Sequence, residues 1–183
     1  KEKKENAFLN YISFERQPLS KYQLNKILKK FGAFDNFTNL FIRKLPLRTT
    51  GIHEIFFEIG NVNLTLIYNN FDYIKNLNFE ADTWFLDGFS PSKNKSAWSS
   101  ELMKHVFNKT KPEGTFSTFT SSSKVQKNLK SVGFKIFKKK GFKQKREMIF
   151  GFKQKYINSF FYKTNDIKNQ LEPVAIIGSG VSG

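Results

Sequence analysis

Two acids stand where an open α/β sheet places its reacting groups. Thr83-Trp84-Phe85-Leu86 is a short apolar run of strand composition that passes straight into Asp87-Gly88-Phe89-Ser90-Pro91, where glycine and proline force a turn. Ligands of such sheets bind outside the carboxyl ends of the strands, so Asp87 is positioned to act on one. The same side chain also suits an Asx turn that caps its own loop. Glu15 follows the aromatic and β-branched run Phe8 to Phe14 (FLNYISF) in the same way. A carboxylate there can accept hydrogen bonds from both vicinal hydroxyls of a ribose, or stand as a solvated charge balanced by Arg16.

Two further patterns carry chemistry. Val174-Ala175-Ile176-Ile177 leads into Gly178-Ser179-Gly180-Val181-Ser182-Gly183, a GxGxxG spacing after a strand. Gly178, Gly180 and Gly183 would let the backbone approach a pyrophosphate at a helix N-terminus, which makes this the opening of a dinucleotide site. The helix and the ribose-binding acid that complete such a site, the acid about 20 residues further on, lie outside the chain. Lys135 to Arg146 holds seven basic residues with Phe137 and Phe142 among them. That mixture can grip phosphates and stack on unpaired bases, or form an ordinary solvated edge. His53 and His105 have no partners at ligand spacing, so no metal is expected. Ser121, Ser122 and Ser123 lack a nucleophile elbow and read as helix-start residues. Trp84 reads as core and Trp98 as lid packing, with stacking on a base as the alternative for Trp98.

The elements that position these residues alternate. Ser20 to Gln23 has capping-box spacing ahead of Leu24, Ile27, Leu28 and Phe31, and Gly32 ends that helix. Between His53 and Tyr68 two strand-like runs flank Gly60-Asn61, which predicts an antiparallel hairpin. A short helix is expected over Phe71 to Leu77. Ser99 or Ser100 caps a helix with an apolar stripe of Leu102, Met103, Val106 and Phe107; Pro112-Glu113-Gly114 then turns into a strand from Thr115 to Thr120. A helix from Ser122 or Ser123 buries Val125, Leu129 and Val132 and stops at Gly133. Two strands around Phe134 to Phe137 and Glu147 to Phe152 close the series. Strands alternating with helices imply a mainly parallel sheet covered on both faces, with an antiparallel pair at one edge.

The chain has 183 residues, 31 Lys plus Arg against 15 Asp plus Glu, and a net charge of +16. A potential of that sign draws polyanions, although abundant Lys, Asn, Phe and Ile together also follow from a coding sequence poor in G and C. The 22 Phe provide bulky apolar side chains for a core, which argues against disorder. There is no cysteine, which removes disulfides and thiolate chemistry and accords with a reducing compartment. No apolar run reaches the roughly 18 residues of a membrane span, and Lys1-Glu2-Lys3-Lys4-Glu5-Asn6 is no signal peptide, so a soluble, cytoplasmic protein without a membrane partner is expected. A start without Met and an end inside a glycine motif look like the cut ends of an internal piece.

DTWFLDGFSPSKNKSAW (residues 82 to 98), KGFKQKREMIFG (140 to 151) and PVAIIGSGVSG (173 to 183) occur in this order, and with the strand and acid YISFERQPL they extend over nearly the whole chain. Together they resemble the family of bifunctional enzymes of tRNA 5-methylaminomethyl-2-thiouridine biosynthesis, in which a methyltransferase domain using S-adenosylmethionine is fused to an FAD-dependent oxidoreductase. The resemblance implies a Rossmann-like class I methyltransferase sheet over residues 1–152, incomplete at its N-terminus, a linker over 153–172, and the start of an FAD-binding domain over 173–183. It implies that the oxidoreductase of the full-length protein removes a carboxymethyl group from a modified wobble uridine of tRNA, and that the methyltransferase then methylates the exposed amine. By the same resemblance Asp87 holds the amine and accepts its proton, and Glu15 binds the donor ribose. Asn70 stands, after Asn69, where the family has a Gly-Asp pair near the adenine. Phe89, Pro91 and Trp98 shape the substrate pocket, and Lys143, Lys145 and Arg146 meet tRNA phosphates. Gly178, Gly180 and Gly183 belong to the FAD site. The donor's glycine-rich loop and first strand are expected upstream of Lys1, which would leave two bare strand edges at the centre of the sheet and the chain alone inactive. A different class of reading is a decayed gene fragment or a non-catalytic basic module that binds tRNA.

Overall fold

The structure, a computed structural model, describes residues 7–30, 35–87, 96–141, 147–154 and 174–178. Its strands are β1 (Leu9–Phe14), β2 (Gly51–Phe57), β3 (Val62–Tyr68), β4 (Ala81–Leu86), β5 (Thr110–Thr118), β6 (Phe134–Lys140), β7 (Glu147–Lys153) and β8 (Val174–Gly178), and its helices are α1 (Lys21–Leu28), α2 (Asp35–Lys44), α3 (Ser100–Asn108) and α4 (Ser123–Ser131). They form one sheet in the order β2-β3-β1-β8-β4-β5-β7-β6. The five strands from β3 to β5 run parallel, while β2 and the β7–β6 pair close the two ends antiparallel. This is the expected α/β sheet with its antiparallel closing pair.

Local chemistry sets most of the boundaries. Ser20 Oγ accepts from the Gln23 amide (3.2 Å) while the Gln23 side chain accepts from the Ser20 amide (2.9 Å), which completes the capping box of α1. Ser99 Oγ accepts from the Leu102 amide at the start of α3 (3.2 Å). Gly60 and Asn61 take φ of 93° and 51° in the β2–β3 connection, and Gly133 takes 113° after α4. The expected helix over Phe71 to Leu77 is a 3-10 turn over Phe71–Asn76.

Three elements depart from the sequence reading. Helix α2 was not expected; its Asn, Thr and Phe have modest helix propensity, and its apolar spacing at Phe37, Leu40 and Phe41 is short. Strand β5 begins at Thr110, so Pro112 and Gly114 lie within it; Glu113 at φ 64° and a register shift against β4 absorb the irregularity. The centre of the sheet is not open. Val174–Gly178 is hydrogen-bonded in parallel to β1 and β4 alike, with Phe14, Gly178 and Leu86 at one level. A short apolar strand ending on glycine is what a central parallel position accepts, and both edges expected to be bare are paired.

The main core lies between the sheet and the α3/α4 side and includes Phe14, Trp84, Leu86, Met103, Phe116 and Ile149. Trp84 is fully buried, and its indole Nε1 donates to Thr110 Oγ1 (2.8 Å), whose hydroxyl donates onward to the Val106 carbonyl (2.7 Å). The one polar atom of the indole is thus satisfied. A second cluster of Leu45, Ile55, Leu64, Leu66 and Tyr68 packs with Leu24 and Phe41 from α1 and α2 on the opposite face.

Candidate active site at the carboxyl edge of the sheet

Glu15 and Asp87 each follow the last residue of a parallel strand, β1 and β4, and the register sets Phe14 and Leu86 level across β8. Two strand spacings separate them, about 10 Å. Phe14 and Leu86 both point into the main core. Glu15, whose amide continues the pairing with β3, keeps the alternation of β1 and faces away from α3 and α4, whereas the chain turns at Asp87. The two acids share one edge, with the end of β8 between them.

Glu15 is held from both sides. Its amide donates to the Ile67 carbonyl (2.9 Å), which extends the β1–β3 pairing by one residue. Its Oε1 accepts from the Gln17 amide (2.9 Å), fixing the carboxylate against its own loop. An ionised carboxylate offers about four acceptor positions, so capacity remains for a ligand's hydroxyls. Asp87 is exposed, and its amide donates to the Phe85 carbonyl (2.9 Å), turning the chain at the strand's end.

Tyr68 is a neighbour that the sequence reading passed over as strand filler. It ends β3 beside β1, its ring lies 4.8 Å from that of His53, and it is buried. Burial, and then the negative charge of Glu15, raise its phenol above the usual 10.0, which makes it a neutral hydrogen-bonding group next to the acid. The available signal was an aromatic residue at a strand's carboxyl end ahead of two asparagines. Asn70 follows at the start of the 3-10 turn, exposed, its amide donating to Asn69 Oδ1 (2.8 Å). Glu15, Asn70 and Asp87 therefore come together at one edge, from three different strands.

Trp98 is buried at 3% exposure, its carbonyl accepts from Asn128 Nδ2 (2.7 Å), and its ring meets Phe119 edge-on at 6.5 Å. It is a wall closed to stacking on a free base. His53 Nε2 donates to the Thr49 carbonyl (2.8 Å). Among the described residues no group of three or more His, Asp or Glu could hold a metal. Phe89, Pro91, Lys143, Lys145, Arg146, Gly180 and Gly183 lie outside the described residues, and Gly178 is the last residue of β8.

The basic stretch continues along β6, where Lys135, Phe137 and Lys139 face one way and Lys138 and Lys140 the other. Phe137 stacks on Phe150 (5.6 Å) and Phe152 (6.0 Å), and the Lys135 ammonium lies 5.7 Å from the Phe137 ring. Several other lysines serve the fold. Lys153 Nζ donates to the Phe107 and Thr110 carbonyls (3.0 and 2.7 Å), and burial lowers its pKa against the opposing effect of Glu80. Lys109 donates to the Leu77 carbonyl, and Lys111 pairs with Asp82 at 3.0 Å.

Comparison with known proteins adds three findings. A family model described as S-adenosyl-L-methionine-dependent methyltransferase matches residues 33–154. Two curated relatives are both named tRNA 5-methylaminomethyl-2-thiouridine biosynthesis bifunctional protein MnmC. One, from Marinomonas sp. (strain MWYL1), is 35% identical over 96% of this chain and 28% of its own length; the other, from Campylobacter jejuni, is 38% identical over 95% of this chain and 29% of its own. The chain thus spans less than a third of either relative. A solved structure, MNMC2 from Aquifex aeolicus, superposes with a TM-score of 0.57 over 82% of this chain and 55% of that one; at 19% identity the likeness is one of fold.

Proposed function

Because the chain belongs to the S-adenosyl-L-methionine-dependent methyltransferase family, we propose that it carries the methylation step of wobble-uridine modification in tRNA, converting the 5-aminomethyl group of a 2-thiouridine to 5-methylaminomethyl. The observation that carries this reading is the pair of acids, Glu15 and Asp87, that follow level strand ends on one edge of the sheet. Two relatives named for this biosynthesis support the substrate. The donor supplies an electrophilic methyl on a sulfonium, so transfer forms a carbon–nitrogen bond, breaks a carbon–sulfur bond and leaves the electron pair on sulfur. An alkyl amine is largely protonated near neutral pH, and only its neutral form has the lone pair that attacks. Asp87, exposed at the strand end, accepts the proton and holds the amine in line.

The residues present fit the donor at its nucleoside end. Glu15 keeps one oxygen on the Gln17 amide and offers its remaining acceptor positions to the ribose hydroxyls. Asn70 gives the adenine a neutral amide, and Phe89, Pro91 and Trp98 shape the pocket for the modified base. Lys143, Lys145 and Arg146 follow Lys140, whose strand ends on the same edge, and meet tRNA phosphates. In the longer polypeptide of the relatives the chain's regions are a methyltransferase domain over 1–152, a linker over 153–172 and the opening of an FAD-binding domain over 173–183, an assignment that requires Val174–Gly178 to leave the central place it takes as β8 in this sheet. There Gly178, Gly180 and Gly183 serve FAD and the companion oxidoreductase removes the carboxymethyl group. The compartment of tRNA modification, the cytoplasm, is the proposed location; no helix among the described residues is long and apolar enough to cross a membrane.

Because the chain alone is expected to lack the donor's glycine loop, the test is to incubate the longer polypeptide that carries it with methyl-labelled S-adenosylmethionine and tRNA bearing 5-aminomethyl-2-thiouridine, then digest and separate the nucleosides. Label in 5-methylaminomethyl-2-thiouridine is the expected result. Retention of tRNA with no donor binding and no label overturns the catalytic reading in favour of a basic tRNA-binding module.

A further inference from the structure

Helix α4 and strand β6 border an open, shallow groove of ≈ 570 Å³ lined by Ser123, Gln126, Lys127, Lys130, Ser131 and Lys138. Three lysines and no acid line it. Lys138 is neutralised on one side by Glu147 (3.0 Å), which itself lies outside the lining. Lys127 and Lys130 are exposed and one helical turn apart, with Cβ atoms about 5–6 Å from each other. The contrast with the fold's other lysines is chemical. Lys109, Lys111 and Lys153 are spent on carbonyls or a carboxylate, whereas Lys127 and Lys130 direct charge into an open concave surface. Like charges gathered in a concavity concentrate positive potential there, an arrangement suited to an anion.

The shape selects among anions. Ser123 to Ser131 covers two turns of helix, about 12 Å, which is longer than a single phosphate needs and open along its length. Ser131 Oγ donates to the Asn128 carbonyl (2.9 Å) and Gln126 Nε2 to the Ser121 carbonyl (2.6 Å), so the Ser123 hydroxyl and the second amide hydrogen of Gln126 are the donors beside the lysines that phosphate oxygens can take. The topology gives the groove its bearing. Strands β4 and β5 are parallel, so α4, which begins just after β5, starts at the carboxyl edge that carries Asp87. Strand β6 runs antiparallel to β7, as β7 does to β5, so its Lys138 end reaches the same edge. Groove and acids thus meet at one edge of the sheet.

We infer that the α4/β6 groove holds the sugar–phosphate backbone of the RNA whose base is presented at Asp87, the strand passing over the carboxyl edge. This rests on the proposed tRNA substrate and adds a second contact surface, Lys127 and Lys130 with Lys138, to the Lys143–Arg146 stretch.

The experiment is the salt dependence of tRNA binding by the full chain, comparing wild type with Lys127→Gln/Lys130→Gln and with Lys26→Gln/Lys29→Gln. The second pair removes the same charge from exposed positions on and just after α1, and glutamine preserves helix propensity in both. Loss of two phosphate contacts lowers the slope of log K against log salt by about 1.5–2 in the α4 variant, with the α1 variant at the wild-type slope. Equal slopes in all three proteins, or equal reductions in both variants, overturn the groove and leave the tRNA reading standing. A wild type with no salt-dependent tRNA binding overturns the tRNA reading, and the groove falls with it.

Discussion

The carboxyl edge and the basic α4/β6 face work by opposite logics. At the edge each group is single and its place is dictated by backbone register: Glu15 and Asp87 are level because Phe14, Gly178 and Leu86 are. On the basic face the groups are repeated and mutually replaceable, since Lys127 and Lys130 add to one field while Lys138 is offset by Glu147. Position-determined chemistry fails all at once when one residue changes, whereas summed electrostatics fails by degrees. The largest expected effect is accordingly at the edge. Asp87→Ala should lower methyl transfer by about 10³-fold or more, within the range for loss of a positioned acid–base group. Its thermal midpoint should stay at the wild-type value, because the side chain is exposed at a strand end. A rate within threefold of wild type would show that the edge does not depend on this acid.

The basic region has one point of equal sensitivity, and it is packing rather than charge. Gly151 in β7 lies against the Phe116 ring and under the Lys135 carbonyl, and a Cβ there would fall 2.0 Å from that oxygen and 2.5 Å from the ring. A backbone oxygen in a paired strand cannot withdraw. Gly151→Ala should therefore destabilise by about 3 kcal/mol or more, read by denaturant unfolding. If the variant is as stable as wild type, the β6–β7 hairpin is not anchored through Phe116, and the rigid support assumed for the lysines of β6 is lost.

Glu15 comes next. Glu15→Gln keeps an oxygen for the Gln17 amide and removes the charge that the proposed donor ribose would meet. Replacing a charged acceptor by a neutral one should weaken donor binding about tenfold, with the maximal rate little changed, since the contact exists before and during transfer. A fall in maximal rate at constant donor affinity would move Glu15 from binding to chemistry.

How much of this was legible in the sequence follows the same division. Ser20, Ser99 and the Gly60-Asn61 connection were readable because capping and turn chemistry is complete within four residues. Glu15 and Asp87 were readable as strand-end acids for the same reason. What was not readable depends on residues far apart in the chain. The groove joins α4 to a strand lysine that neither element announces, and Tyr68 matters only because β3 lies beside β1. Strand β8 was recognised as a strand, but its place between β1 and β4 is a property of the whole sheet. Helix α2 was missed because its Asn, Thr and Phe residues speak weakly for a helix without the packing of Phe41 and Ile42.

The smallest effect probes the sheet beneath the edge. Tyr11 lies on the same face of β1 as Glu15, and burial raises its phenol from 10.0 to about 12. For an acid whose folded pKa is raised, the unfolded chain releases its proton first, so stability is full below pH 10 and is lost as pH rises from about 10 to about 12. A two-unit shift corresponds to roughly 2.7 kcal/mol, and partial solvent exposure reduces the expected loss to about 1–2 kcal/mol. Tyr68 titrates in the same direction, so the measurement is the difference between wild type and Tyr11→Phe, not the wild-type curve alone. That difference should shift in favour of the phenylalanine variant by this amount across the window. A constant difference would mean that the phenol ionises in the folded sheet as it does in water, and that the ground under Glu15 is wet rather than apolar.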